Sequence, residues 1–143
     1  MKKYISQSPQ ETQKIAAELV SMLSPGSVVC MYGDLGAGKT AFVQGMAKAL
    51  NIDEPVTSPT FTIVNEYNGT LPLYHFDVYR IGSSDEMFEI GFDEYVNGDG
   101  ISVIEWAELI EDILPPATIS VTIRKNMEKG EDYREIIIDK HDS

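Results

Sequence analysis

One octapeptide constrains this chain more than any other stretch: Gly33-Asp34-Leu35-Gly36-Ala37-Gly38-Lys39-Thr40. It meets Gly-x-x-x-x-Gly-Lys-Ser/Thr at every fixed position. An apolar run, Ser27-Val28-Val29-Cys30-Met31-Tyr32, precedes it, and Phe42, Val43, Met46, Ala47 and Leu50 follow at helical spacing. With average amino-acid usage, a chance match in a chain of this length has odds of about half a per cent, and the strand-before, helix-after context lowers them further. The chemistry explains the residue types. Glycines let successive backbone N–H groups turn inward around phosphates, and the positive end of the following helix points at the same anion. Lys39 adds a point charge, and the Thr40 hydroxyl suits Mg²⁺. The pattern therefore predicts a P-loop holding ATP and Mg²⁺, with Gly33, Gly36, Ala37, Gly38, Lys39, Thr40 and Ala41 as its nucleotide-binding set.

Such a loop needs a carboxylate at the end of an apolar strand to organise the cation and a water. Glu105 follows Ile101-Ser102-Val103-Ile104, and Asp77 follows Leu73-Tyr74-His75-Phe76. We expect both in the site, Glu105 on the metal side and Asp77 orienting water, although each also has the form of a plain solvated strand-end acid. Thr57-Ser58-Pro59-Thr60 stands where a switch-like loop would, but loop hydroxyls commonly make local turns. Arg80 could stabilise developing charge, yet pairing with Glu66 or Asp77 is the commoner use of such an arginine. Trp106, the single tryptophan, is either a nucleotide or partner contact or a core residue. His75 and His141 lack metal-ligand spacing. Cys30, the single cysteine, lies in the apolar run and reads as core, which suits a reducing compartment.

The 143 residues fit one domain, residues 1–143, and no repeat, low-complexity tract or linker interrupts them. Ser8-Pro9-Gln10-Glu11 has the form of a capping box, and Ile15, Ala16, Leu19, Val20 and Leu23 continue it as a helix up to Pro25-Gly26. Phe61–Tyr67 and Leu71–Tyr79 flank Asn68-Gly69 and predict a hairpin. Residues 84–90 suggest a short helix stopped by Gly91. Strands are expected at 101–104, 118–123 and 133–138. The fold class is therefore α/β, a mixed β-sheet flanked by helices. No apolar run is long enough to span a bilayer and no signal-peptide pattern opens the chain, so a cytoplasmic protein is expected.

Net charge is −12, and its distribution matters more than its total. Between Arg80 and Arg124 there is no Lys or Arg, while Asp85, Glu86, Glu89, Asp93, Glu94, Asp99, Glu105, Glu108, Glu111 and Asp112 fall there. Phosphate backbones would be repelled by such a surface, so direct nucleic-acid binding is disfavoured. The stretch is either a solvated face or a docking face for a basic protein.

Five motifs in order resemble one family, TsaE (formerly YjeE), over nearly the whole chain. They are Gly33–Thr40, Ser58-Pro59-Thr60-Phe61-Thr62, His75-Phe76-Asp77-Val78-Tyr79-Arg80, Gly91-Phe92-Asp93-Glu94-Tyr95 and Ile104-Glu105-Trp106. The resemblance implies a small P-loop ATPase that helps two partner proteins, TsaB and TsaD, install threonylcarbamoyl on adenosine 37 of tRNAs reading ANN codons. It implies slow hydrolysis that resets the partner complex, with tRNA met only through that complex. It further implies Thr40 and Glu105 on Mg²⁺, Asp77 in hydrolysis, Trp106 required for activity, and Thr12 and Arg134 flanking the adenine; with Lys39 from the loop chemistry, Asp77 and Glu105 make up the expected catalytic set. The chain stops soon after Ile136-Ile137-Ile138, where many family members continue, and no motif is lost. Two rival readings are weaker. A small-molecule kinase usually closes an Arg-bearing lid over the phosphates, and only Arg80, Arg124 and Arg134 are present, with no long polar insert. A GTP switch lacks its guanine-reading Asn-Lys-x-Asp.

Overall fold

The computed structural model describes residues 1–33, 38–57 and 63–141. The chain runs β1 (Lys2–Ser6), α1 (Pro9–Val20), β2 (Val28–Gly33), α2 (Lys39–Ala49), β3 (Val64–Tyr67) and β4 (Leu73–Asp77). It continues through α3 (Asp85–Glu89), α4 (Phe92–Val96), β5 (Ile101–Glu105), a 3-10 stretch (Ala107–Ile113), β6 (Thr118–Lys125), a short 3-10 turn (Met127–Lys129) and β7 (Arg134–His141). The strands form one seven-stranded sheet in the order β1-β7-β6-β2-β5-β4-β3. The four central strands β6, β2, β5 and β4 are parallel, and β3, β7 and β1 pair antiparallel at the two sides. This is the mixed α/β sheet the sequence predicts.

Strand periodicity decides what covers each face. Val29 and Met31 of β2 join Ile101, Val103, Val121, Ile123 and Leu73 against α1 and α2. Val28 and Cys30, one residue out of phase, join Phe76 and Ile104 against α3, α4 and the first 3-10 stretch, through Met87, Phe92, Val96, Ala107 and Ile110. A strand buried on both faces needs an unbroken apolar run, which is why β2 and β5 read as continuous hydrophobic segments.

At the start of α1, the Glu11 N–H donates to Ser8 Oγ at 3.1 Å, and Glu11 Oε2 accepts from the Gln7 N–H at 3.0 Å. This is a capping box whose return arm lands one residue early. Helices α1 and α2 pack closely at Gly45, where a Cβ would stand 2.5 Å from Gln13 Cα. No helix among the described residues is long and apolar enough to cross a membrane.

Some expectations change. The hairpin forms, with Tyr67 opposite Leu73, but its connection is five residues, 68–72, and neither Asn68 nor Gly69 has positive φ. A two-residue turn would need that conformation; instead Gly69 packs onto the Leu50 carbonyl, leaving no room for a Cβ. Strands β3 and β4 are accordingly shorter than the runs that suggested them, and Phe61 and Thr62 lie outside the described residues. Strand β1, helix α4 and the 3-10 stretches were not expected from the sequence.

Candidate functional site

The central parallel strands β2, β4 and β5 all end at one edge of the sheet, where open α/β sheets bind ligands. Gly33 ends β2, Asp77 ends β4 and Glu105 ends β5. Gly33 has φ +136°, and a Cβ there would collide with the Ile123 carbonyl oxygen of β6, so only glycine can leave the strand at this point. Helix α2 opens at Gly38, in the left-handed conformation (φ 101°) and with no side-chain cap. Its first N–H donors therefore face the same edge. Asp34, Leu35, Gly36 and Ala37 lie outside the described residues.

Lys39, the first residue of α2, is 6% exposed. Its Nζ lies 4.0 Å from the centre of the Trp106 ring and 3.5 Å from the Gly33 carbonyl oxygen. Among the described residues it has no carboxylate partner within ion-pair distance. A nearly buried ammonium without an anion is expensive to keep dry unless an anionic ligand completes it. Thr40 and Ala41, on the first turn of α2, are half-buried.

Asp77 and Glu105 are register partners on β4 and β5. His75 lies two residues before Asp77 on the same strand face, and its Nε2 meets Glu105 Oε2 at 2.6 Å. Glu105 is 4% exposed and His75 is fully buried. Burial pushes the Asp77 carboxyl above its ordinary value, and the nearby Glu105 adds to this; the Tyr79 N–H bond at 3.0 Å, His75 and Lys39 pull the other way. Nine of the ten acids between Arg80 and Arg124 are exposed; Glu105 alone is buried.

Two of the three non-glycine residues with positive φ among the described residues border this cluster. Trp106 (φ 63°) turns the chain out of β5 and sets its indole under Lys39 and 4.8 Å from the Tyr79 ring. Ile63 (φ 66°) precedes β3, and its carbonyl accepts from the Asp77 N–H at 2.8 Å. Left-handed backbone at a β-branched residue is strained, and such strain gathers at functional sites.

Other expected residues fall as follows. Thr12 is buried in α1, its hydroxyl 2.7 Å from Ser6 Oγ. Arg134 opens β7 and donates from one guanidinium nitrogen to the Glu131 and Tyr133 carbonyls at 2.8 Å each, and a Cβ on Gly38 would stand 3.9 Å from its Nε. Arg134 thus borders the loop. Arg80 is exposed and, among the described residues, forms no ion pair. The expected pairing with Glu66 or Asp77 is not made among the described residues. Of the switch-like segment, Thr57 is tied through its backbone to the Tyr67 hydroxyl at 3.3 Å, and Ser58, Pro59 and Thr60 lie outside the described residues. Cys30 is buried and its thiol is pushed up to about 12 by burial, so it is inert at neutral pH. A cavity of about 490 Å³ lies at the opposite end of the sheet, between Leu23, Val28, Ile119 and Ile138, away from this cluster.

Among the described residues no three His, Cys, Asp or Glu side chains group closely enough to hold a metal on their own. A single carboxylate with a hydroxyl is a different kind of site: hard oxygen donors that suit Mg²⁺ when phosphate oxygens complete its shell. The nearly buried Lys39 ammonium, the helix start without a side-chain cap and the oxygen donors of Glu105 and Thr40 fit a magnesium–triphosphate ligand.

The family model described as threonylcarbamoyl adenosine biosynthesis protein TsaE matches residues 6–136. A Bacillus subtilis relative, tRNA threonylcarbamoyladenosine biosynthesis protein TsaE, is 47% identical over 135 residues, covering 94% of this chain and 82% of the relative. The Treponema pallidum protein of the same name is 46% identical over 120 residues, covering 84% and 89%. The crystal structure of Bacillus subtilis YdiB superposes with a TM-score of 0.79 at 40% identity, covering 99% of this chain and 86% of that one.

Proposed function

Because the chain belongs to the TsaE family and thereby to tRNA threonylcarbamoyladenosine biosynthesis, we propose that it serves that pathway as a Mg²⁺-dependent ATPase. Residues 1–143 act as one domain, in the cytoplasm, in support of TsaB and TsaD, the partners that the family resemblance implies. One observation carries this reading: the buried Lys39 ammonium, which has no ion-pair partner among the described residues, stands at the start of α2 within electrostatic reach of Asp77, whose register partner is Glu105.

In this reading Gly33, Gly36, Ala37, Gly38, Lys39, Thr40 and Ala41 would form the phosphate-binding set, with Lys39 supplying the neutralising charge. Thr40 and Glu105 would hold the cation, and Mg²⁺, when bound, would neutralise charge on the phosphates. Asp77, half-exposed beside Glu105, accepts a hydrogen bond from the attacking water and orients it. Its raised affinity for a proton brings it closer to a useful base than a solvated aspartate. Trp106 keeps the Lys39 amine in place between ring and carbonyl. Arg134, beside Gly38, and Thr12 flank the adenine by family resemblance. The nine exposed acids on the α3–α4 side form a docking face for a basic protein surface and would keep tRNA at a distance except through that partner.

The test is a depletion and complementation pair. Loss of the protein is expected to lower threonylcarbamoyladenosine in tRNA nucleosides measured by mass spectrometry, with rescue by the wild-type gene and not by Lys39→Ala. Rescue by Lys39→Ala would remove nucleotide binding from the function.

A further inference from the structure

We propose that His75 is a positioning residue: its imidazole fixes the buried Glu105 carboxylate by one oxygen, so that the other is presented to the cation. The inference rests on the ATPase reading above. It starts from what position 75 ought to hold. His75 sits in the middle of β4, fully buried, with Leu73 two residues before it on the same face in the apolar core. Its register partner on β5 is Val103. An aliphatic residue would pack there without polar cost.

Among the described residues the imidazole instead makes one hydrogen bond, Nε2 to Glu105 Oε2 at 2.6 Å. An ionised carboxylate only accepts, so the ring nitrogen facing it carries the hydrogen. The other ring nitrogen, Nδ1, is buried and among the described residues has no hydrogen-bond partner. Most buried side-chain polar atoms are hydrogen-bonded, and the bond His75 makes is a short one to Glu105.

The geometry makes that bond useful. Residues 73, 75 and 77 of β4 share a face with 101, 103 and 105 of β5, so the imidazole reaches Glu105 from one register step below, on the core side. Glu105 is thus held from beneath, at Oε2. Groups that ligate metals commonly carry such an outer partner, which sets their orientation before the ion arrives.

The experiment compares the full-length wild type with His75→Leu, His75→Asn and His75→Gln. ATP binding is followed by calorimetry across a Mg²⁺ series and in EDTA. A glutamine amide can reach the level of Nε2 and keep the bond to Glu105, whereas an asparagine amide stops at the level of Nδ1. His75→Leu and His75→Asn are expected to raise the Mg²⁺ concentration for half-maximal nucleotide binding by roughly tenfold or more, with affinity in EDTA changed less than about twofold. His75→Gln is expected to stay within about threefold of wild type. Should His75→Leu fail to fold, the asparagine–glutamine pair makes the same comparison. An unshifted Mg²⁺ dependence in folded His75→Asn, or an equal shift in His75→Gln, overturns the proposal while leaving the ATPase reading standing. A wild-type protein whose ATP binding ignores Mg²⁺ overturns both.

Discussion

Asp77 and Glu105 stand directly opposite each other on adjacent parallel strands, yet only Glu105 is sealed from water and bonded to an imidazole. Two carboxylates side by side in unlike surroundings are suited to unlike tasks, and the difference yields separable predictions.

Asp77→Asn keeps the acceptor for the Tyr79 N–H and removes the charge. Hydrolysis is expected to fall by roughly 10²- to 10³-fold while ATP affinity changes less than about threefold. Single-turnover kinetics and calorimetry on the same preparation measure the two. Equal losses in both would return Asp77 to binding.

The same substitution has a signature without nucleotide. Burial raises the Asp77 pKa in the folded chain, so on acidification the folded state takes up this proton before the unfolded state does. Its contribution to stability is fully present at pH below the unfolded value near 3.8 and is lost as pH rises through the folded value. At neutral pH the ionised group therefore opposes folding. Asp77→Asn is expected to melt above wild type at pH 7, with the gap closing toward pH 4 in thermal scans across that range. A gap that widens on acidification would contradict the direction of the shift.

Lys39→Ala removes the buried ammonium at the start of α2. Charge-assisted bonds to phosphate are worth about 1.5–3 kcal/mol each, so ATP binding should weaken by at least about 100-fold when more than one is lost. Calorimetric titration checks this, and an unchanged affinity would place the nucleotide elsewhere.

Trp106 supplies an optical readout, since it is the only tryptophan and the Lys39 amine lies 4.0 Å from its ring centre. Mg·ATP should draw that amine toward phosphate and change the emission of wild type. The change should be absent in Lys39→Ala. Saturating binding with constant emission would mean the amine stays on the ring.

Gly45→Ala tests the helix pair rather than the site. In an exposed helix interior the change would gain about 1 kcal/mol. Here the new methyl would stand 2.5 Å from Gln13 Cα, and the expected outcome is a net loss of about 2 kcal/mol, a melting temperature lower by roughly 5 °C. A rise in melting temperature would show that α1 and α2 can move apart freely.

These residues also show where local sequence stops being informative. Gly33, Lys39 and Thr40 are legible because their chemistry is contiguous: a strand end, a turn and a helix start in one short run. Asp77 and Glu105 are legible as acids closing apolar runs. The bond between His75 and Glu105 is not, since it depends on which strand lies beside which, a relation set by the whole sheet. Strand β1 has the weak pattern Lys-Lys-Tyr-Ile-Ser and takes its structure from pairing with β7 at the far end of the chain. Asn68-Gly69 looked like a tight turn, but a long-range contact with Leu50 dictates the backbone there. The Trp106 ring beneath Lys39 requires a left-handed tryptophan, which no local preference foretells.

Strand β2, which leads into the phosphate loop, is bracketed by β6 and β5, both made from the last third of the polypeptide. During synthesis the loop emerges early and must wait, its launching strand without neighbours, until those two pieces have left the ribosome. Nucleotide would thus be captured by finished molecules only, and capture would favour them over their partly made precursors by mass action.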